Sequence, residues 1–252
     1  MQALTLVNLG LVRQQQARFA EAMEVLEEAL TVSRAAGLRY AEGVALETIG
    51  MVHWDASRHE EAISAFTAAR DIAVSVENRD STLASLLGLA ESELRLGRAD
   101  SAFGHLGAAR RFAEESGMST GQVLLGRARA EYLVRNHAKA RELATRSLVL
   151  SKNHSPLDVP RLHALLAAVH LADGDREESV RASEQAVSLA ARSGQRLEQA
   201  HALLILGHAR RLAGDRQSAR RSWQQAHELF TTIGVPEAHL TVSLLTPGGA
   251  GS

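Results

Sequence analysis

The side chains of this 252-residue chain that could do chemistry are 11 histidines, 29 acids and 28 bases, and there is no cysteine. The missing thiol excludes disulfide scaffolds, cysteine nucleophiles and cysteine-based zinc or iron–sulfur sites. His163 and His170, and again His201 and His208, stand seven residues apart, so each pair lies on one face of a helix. Seven residues also separate the members by about 10 Å along the axis, whereas ligation from one helix uses an i, i+4 pair. They read as groove or packing histidines. The stretch His59-Glu60-Glu61-Ala62-Ile63 lacks the second histidine that a zinc-peptidase helix requires. Neither a G-x-x-x-x-G-K-[ST] phosphate loop nor a G-x-S-x-G elbow occurs. The acidic run from Asp173 to Glu178 lacks the 12-residue, glycine-centred spacing of a calcium loop and reads as a turn. Arg210, Arg211, Arg216, Arg220 and Arg221 could touch phosphates. No aromatic residues interleave with them, however, and the chain as a whole is not basic, so direct nucleic-acid binding is not expected. The expectation is a non-catalytic protein with no cofactor and no metal site.

The elements that must carry these residues are helical. Aromatic residues are 4% of the chain and prolines number 4, while alanine and leucine dominate the apolar 45%. Such a composition argues against a sandwich, barrel or large sheet. No run of 18 apolar residues and no basic leader is visible, so a cytoplasmic protein without a membrane segment is expected.

A cassette recurs along the chain: a small residue in one helix, a polar turn, then a second helix opening on a small residue. The anchors of the second helices are Ala22, Ala62, Ala102, Ala140, Ser179 and Ala219, spaced 40, 40, 38, 39 and 40 residues apart. Twelve residues before them come Gly10, Gly50, Ala90, Ala128, Ala167 and Gly207, and seven after them Ala29, Ala69, Ala109, Ser147, Ala186 and Ala226. Small residues at these points let helices cross closely. Four after the anchor stand Leu26, Phe66, Leu106 and Trp223, but Ala144 and Ser183 in the fourth and fifth units, which predicts thinner packing there. This periodicity predicts stacked helical hairpins that bury each other's apolar faces.

The cassette resembles the tetratricopeptide repeat. Leu9-Gly10, Ile49-Gly50 and Leu206-Gly207 match the family's Leu-Gly pair, and Ala62 with Phe66 its Ala-x-x-x-Phe element. The period is nearer 40 than the usual 34, and Arg127 stands where the pattern has leucine. The resemblance implies an all-α, right-handed α-solenoid of about six repeats. Their expected bounds are 1–40, 41–80, 81–119, 120–158, 159–197 and 198–233. A capping helix at 236–245 completes a single solenoid domain over 1–245, followed by a flexible tail at 246–252. The linker ARSGQRLEQAHALLILGHA and the closing AHELFTTIGVPEAHLTVSL are also similar to C-terminal sensor regions of two actinobacterial regulator families. These are the Streptomyces antibiotic regulatory proteins and the large LuxR-type regulators. By that resemblance DNA and nucleotide are met only through domains outside these 252 residues.

The first helix carries Leu4, Leu6, Val7, Leu9, Leu11 and Val12 on all its sides. We expect either a truncated start or a homodimer through this helix, and a true C-terminus. Residues 1–126 hold 11 Arg and no Lys against 17 acids, a balance of −6, and residues 127–252 balance at +5. Drift across a solvated surface explains such a split unless association proves salt-sensitive.

The family resemblance places the first helix of each repeat on the concave surface. Its groove-facing positions are Glu47, Met51, Trp54 and Asp55 in the second repeat, Glu91 and Arg95 in the third, and Gln122, Arg129 and Tyr132 in the fourth. Arg161, His201, His208 and Arg211 come from the last two. The expected occupant is a protein or peptide segment or a small polar effector; the alternative role is a constitutive assembly scaffold or free-standing adaptor.

Overall fold

A computed structural model describes residues 2–246, with the backbone alone at residues 152–154; the expected tail beyond Thr246 lies outside the described residues. Among the described residues, thirteen α-helices and one 3₁₀ turn follow one another: α1 (Gln2–Gln15), α2 (Phe19–Ala35), α3 (Arg39–Asp55), α4 (His59–Ser75), α5 (Arg79–Arg95), α6 (Ala99–Glu115) and α7 (Gly121–Leu133). Then come α8 (His137–His154), the 3₁₀ turn Pro156–Asp158, α9 (Val159–Ala172), α10 (Arg176–Arg192), α11 (Arg196–Leu212), α12 (Arg216–Ile233) and α13 (Glu237–Leu245). No strand occurs among the described residues. The all-α class and the α-solenoid of helical hairpins expected from the repeats are what is found.

The period has a simple origin. α3 and α4 are 17 residues each, and each is followed by a three-residue turn, which returns the chain to the same register after 40 residues. Every turn but the one between α8 and α9 contains one left-handed residue: Ala17, Ser57, Gly97, Arg135, Gly174 and Gly214 within hairpins, and Gly37, Glu77, Gly117, Gly194 and Gly234 after them. The backbone bonds Ala17 N→Gln14 O and Arg18 N→Arg13 O recur in the same pattern at the later turns, for example Ser57 N→Trp54 O and Arg58 N→His53 O. These bonds close the carbonyl end of the helix as in a Schellman motif.

The chain divides into two compact units, residues 1–130 and 131–252. In both, the first (A) helix of a hairpin packs on its second (B) helix. In the first two hairpins this seam is closed by a large side chain over a glycine. Leu26, Phe66 and Leu106 are buried. A Cβ on Gly10 would come within 2.6 Å of Leu26, and one on Gly50 within 2.7 Å of Phe66. Gly88 receives the far edge of the same Phe66 ring, at 2.5 Å from a would-be Cβ. In the second unit Trp223 lies over Gly207 in the same way, at 2.2 Å. Glycine is needed at these positions for close approach. The fifth hairpin is built differently. Ser179 and Ser183 are fully buried on α10, and the Ser179 hydroxyl donates across to the Ala167 carbonyl at 2.9 Å. Ala164, Ala186 and Ala202 continue that small-residue packing into the sixth hairpin. α13 covers α12, held by Thr241, whose hydroxyl meets His227 Nδ1 at 2.8 Å.

Candidate functional site: the A-helix ladder

Along the A helices, polar side chains form rungs from one repeat to the next. Gln14 Nε2 of α1 donates to the buried Asp55 of α3, and Ser81 Oγ of α5 donates to Glu47 of α3. Arg129 of α7 pairs with Glu91 of α5 at 3.1 Å. Within the second unit, Arg161 of α9 reaches Glu198 of α11 at 2.7 Å. Partners on the next A helix are 34 to 41 residues apart because that is the length of one hairpin.

The first unit brings four of the expected residues to one place. The guanidinium carbons of Arg95 and Arg129 lie 5.6 and 5.2 Å from the centroid of the Trp54 ring, with Glu91 on Arg129. Both distances are in cation–π range. Trp54 is half-buried. With Met51 it rests against the Ala62, Phe66 and Leu89 cluster, and its indole N–H is shielded from water without meeting an acceptor among the described residues. Trp54 is therefore part core and part surface, less open than a freely standing groove residue. Gln122, at the start of α7, is exposed.

Two carboxyl groups of α3 show how the ladder tunes charge. Glu42 is buried, which alone would raise its pKa. Arg34 and Arg39, at 2.9 and 2.6 Å, outweigh that and hold it below the usual range. Glu47 is held by a hydroxyl, with Asp80 nearby. Burial therefore wins and lifts its pKa to about 7.

In the second unit, Tyr132 stacks on His137, with ring centroids 5.6 Å apart, and burial raises its phenol pKa. His137 and Arg141 both reach Asp173, at 3.3 and 2.9 Å, so the acidic turn after α9 ties to α8. His201 and His208 face α12 rather than a neighbouring A helix: His201 lies 5.3 Å from the Phe230 ring and His208 5.3 Å from the Trp223 ring, edge-on. Burial lowers the pKa of His208. Arg211 is half-buried at the end of α11. No group of three or more metal-ligating side chains occurs among the described residues, and no helix among them is long and apolar enough to cross a membrane. Gln14, Ser81 and Glu198 were not singled out from the sequence. The signal that could have found them is the repeat period itself, applied to polar A-helix positions.

Residues 1–73 and 41–115 match the tetratricopeptide repeat family. Residues 1–115 are thus similar to tetratricopeptide repeats, and helical hairpins of the same form continue to Ile233. Regulatory protein AfsR of Streptomyces griseus is 26% identical over 240 residues, covering 93% of this chain. The chain spans only 23% of that relative's length. Among solved structures, a Rap protein complexed with competence and sporulation factor is similar with a TM-score of 0.71 at 14% identity, over 97% of this chain and 74% of that one. A signal transduction ATPase with numerous domains and a tetratricopeptide repeat sensor, from Pyrococcus horikoshii, is similar with a TM-score of 0.67 at 14% identity, over 96% and 37%. At these identities the two structures speak for the fold.

Proposed function

We propose that the chain is a non-catalytic binding module and the regulatory, sensing part of a longer cytoplasmic transcriptional regulator. Its occupant is a polar protein or peptide segment, or a small zwitterionic effector, held on the A-helix ladder of the first unit. The observation that carries this reading is the convergence of Trp54, Glu91, Arg95 and Arg129 from three successive A helices. An aromatic face beside guanidinium groups and a carboxylate is the composition from which binding hot spots are built. It suits a ligand bearing a carboxylate better than a fatty one. The relative named a regulatory protein, the neighbour described as having a tetratricopeptide repeat sensor, and the Rap protein described in complex with a factor all support the sensing role. Occupancy acts as a signal only if the ligand prefers one of two states of the whole regulator.

The test uses the Trp223→Phe variant, which leaves Trp54 as the sole tryptophan, against a library of short polar peptides rich in Asp and Glu. A binding peptide should change Trp54 emission and raise the melting temperature in proportion to the logarithm of its concentration. The Trp54→Ala and Arg95→Ala variants should lose that response. Stabilisation by a protein partner alone, with every peptide silent, would favour the scaffold role.

A further inference from the structure

Of the three carboxyl groups on α3, Glu42 is held by Arg34 and Arg39, and Asp55 accepts from the Gln14 amide. Glu47 makes no ion pair among the described residues. Its donor there is the Ser81 hydroxyl, and the charge that acts on it is another acid, Asp80. Glu47 is only half-buried, so part of its side chain still meets solvent. Met51 and Trp54 follow it at four and seven residues on the same helix face, which sets Trp54 about 10 Å further along the axis. At that end Arg95 and Arg129 face the indole, and with Glu91 on Arg129 the three side chains carry one net positive charge. α5 runs the same way, with Asp80 and Ser81 in its first turn and Arg95 as its last residue.

The ladder of the first unit is thus bipolar, acid at one end and guanidinium at the other. A half-buried carboxylate without a cation is costly to ionise, and an ammonium group brought by a ligand removes that cost. Charge also fixes the direction in which a ligand lies, ammonium toward Glu47 and carboxylate toward the arginines. About three extended residues span about 10 Å. Resting on the binding role proposed above, we infer that the ligand is a short free peptide of about three residues, its terminal ammonium on Glu47 and its terminal carboxylate on Arg95 and Arg129. Glu47 then selects for a free amine, and because burial lifts its pKa to about 7, it must give up a proton when the ammonium arrives below that pH.

The probes are dialanine, trialanine, hexaalanine and N-acetylated trialanine, titrated into the Trp223→Phe chain and read by Trp54 emission. Trialanine should bind most tightly. Acetylation should weaken it at least about tenfold, as loss of a charge-assisted hydrogen bond does. Glu47→Gln keeps the shape and an acceptor for Ser81, and should bind free and acetylated trialanine alike. In calorimetry at pH 6, where the peptide amine stays protonated, trialanine should release most of a proton from the parent chain and none from Glu47→Gln. Equal binding of free and acetylated trialanine by the parent chain would overturn the inference while leaving the Trp54 site standing. Acetylation that costs as much in Glu47→Gln as in the parent would overturn it too, by placing the ammonium elsewhere. If trialanine leaves Trp54 emission unchanged while the acidic library peptides alter it, the three-residue ligand is wrong. If neither alters it, the binding role itself fails.

Discussion

In the second hairpin, Phe66 is wedged between Gly50 of its own A helix and Gly88 of the next; in the fifth, Ser179 and Ser183 occupy the corresponding stretch of the B helix. The backbone period is nearly the same in both. The first arrangement draws its stability from one large apolar side chain filling a space that only glycine leaves open. The second brings two helices together through small residues and satisfies the buried hydroxyls on carbonyls, Ser179 on Ala167 and Ser183 on Ser179. One repeat length therefore accommodates two kinds of seam, and the two should respond differently to substitution.

The largest separation is expected from Phe66→Ala. Removing a ring that fills two glycine-lined spaces should cost roughly 3–5 kcal/mol in urea unfolding. A cost below about 1 kcal/mol would show that the seam collapses on itself and would erase the contrast.

The polar rungs divide the units in a second way. Glu47 in the first is held by a hydroxyl, whereas Glu198 in the second is held by Arg161. Because folding raises the Glu47 pKa to about 7, its contribution is fully present below the ordinary carboxyl pKa and is lost as pH rises through 7. The loss amounts to something on the order of 3 kcal/mol. Glu47→Gln should therefore stabilise the chain at pH 8 and do little at pH 5. Melting curves at the two pH values check this, and an equal effect at both would mean that Glu47 stays charged throughout.

Ser179→Ala tests the small-residue seam. It removes one interhelical hydrogen bond and leaves the Ala167 carbonyl its helical partner, so a cost of about 1 kcal/mol is expected. Smallest is Arg127→Leu. The leucine that the pattern has at this position would replace an exposed arginine whose guanidinium carbon sits 4.5 Å from the Phe103 ring centroid. The lost cation–π contact and the gained apolar one should nearly cancel, leaving a change within about 1 kcal/mol. Strong destabilisation would give Arg127 a structural role beyond that contact.

Much of the hairpin geometry was legible from residue types alone. The anchors Ala22, Ala62, Ala102 and Ala219, the glycines twelve residues before three of them and the large residues four after all fall where the helices cross. The reason is local: a helix's own period and its neighbour along the chain decide which faces meet, and the size of a Cβ decides how closely. The pairings of the ladder were not legible. Asp55 with Gln14, Glu47 with Ser81, and Trp54 with Arg129 depend on how each hairpin rotates over the last, which sums small angles from many side-chain contacts. The same holds for His201 and His208. Their spacing placed both on one helix face, but only the packing of α11 on α12 turned that face toward Phe230 and Trp223. Likewise, the all-round apolar character of α1 was plain from Leu4 to Val12, while the division into a buried side at Ala3, Val7 and Gly10 and an exposed one at Leu9 and Val12 required the neighbouring helices. Periodicity dictates what each helix can offer; the packed neighbours decide which offer is taken.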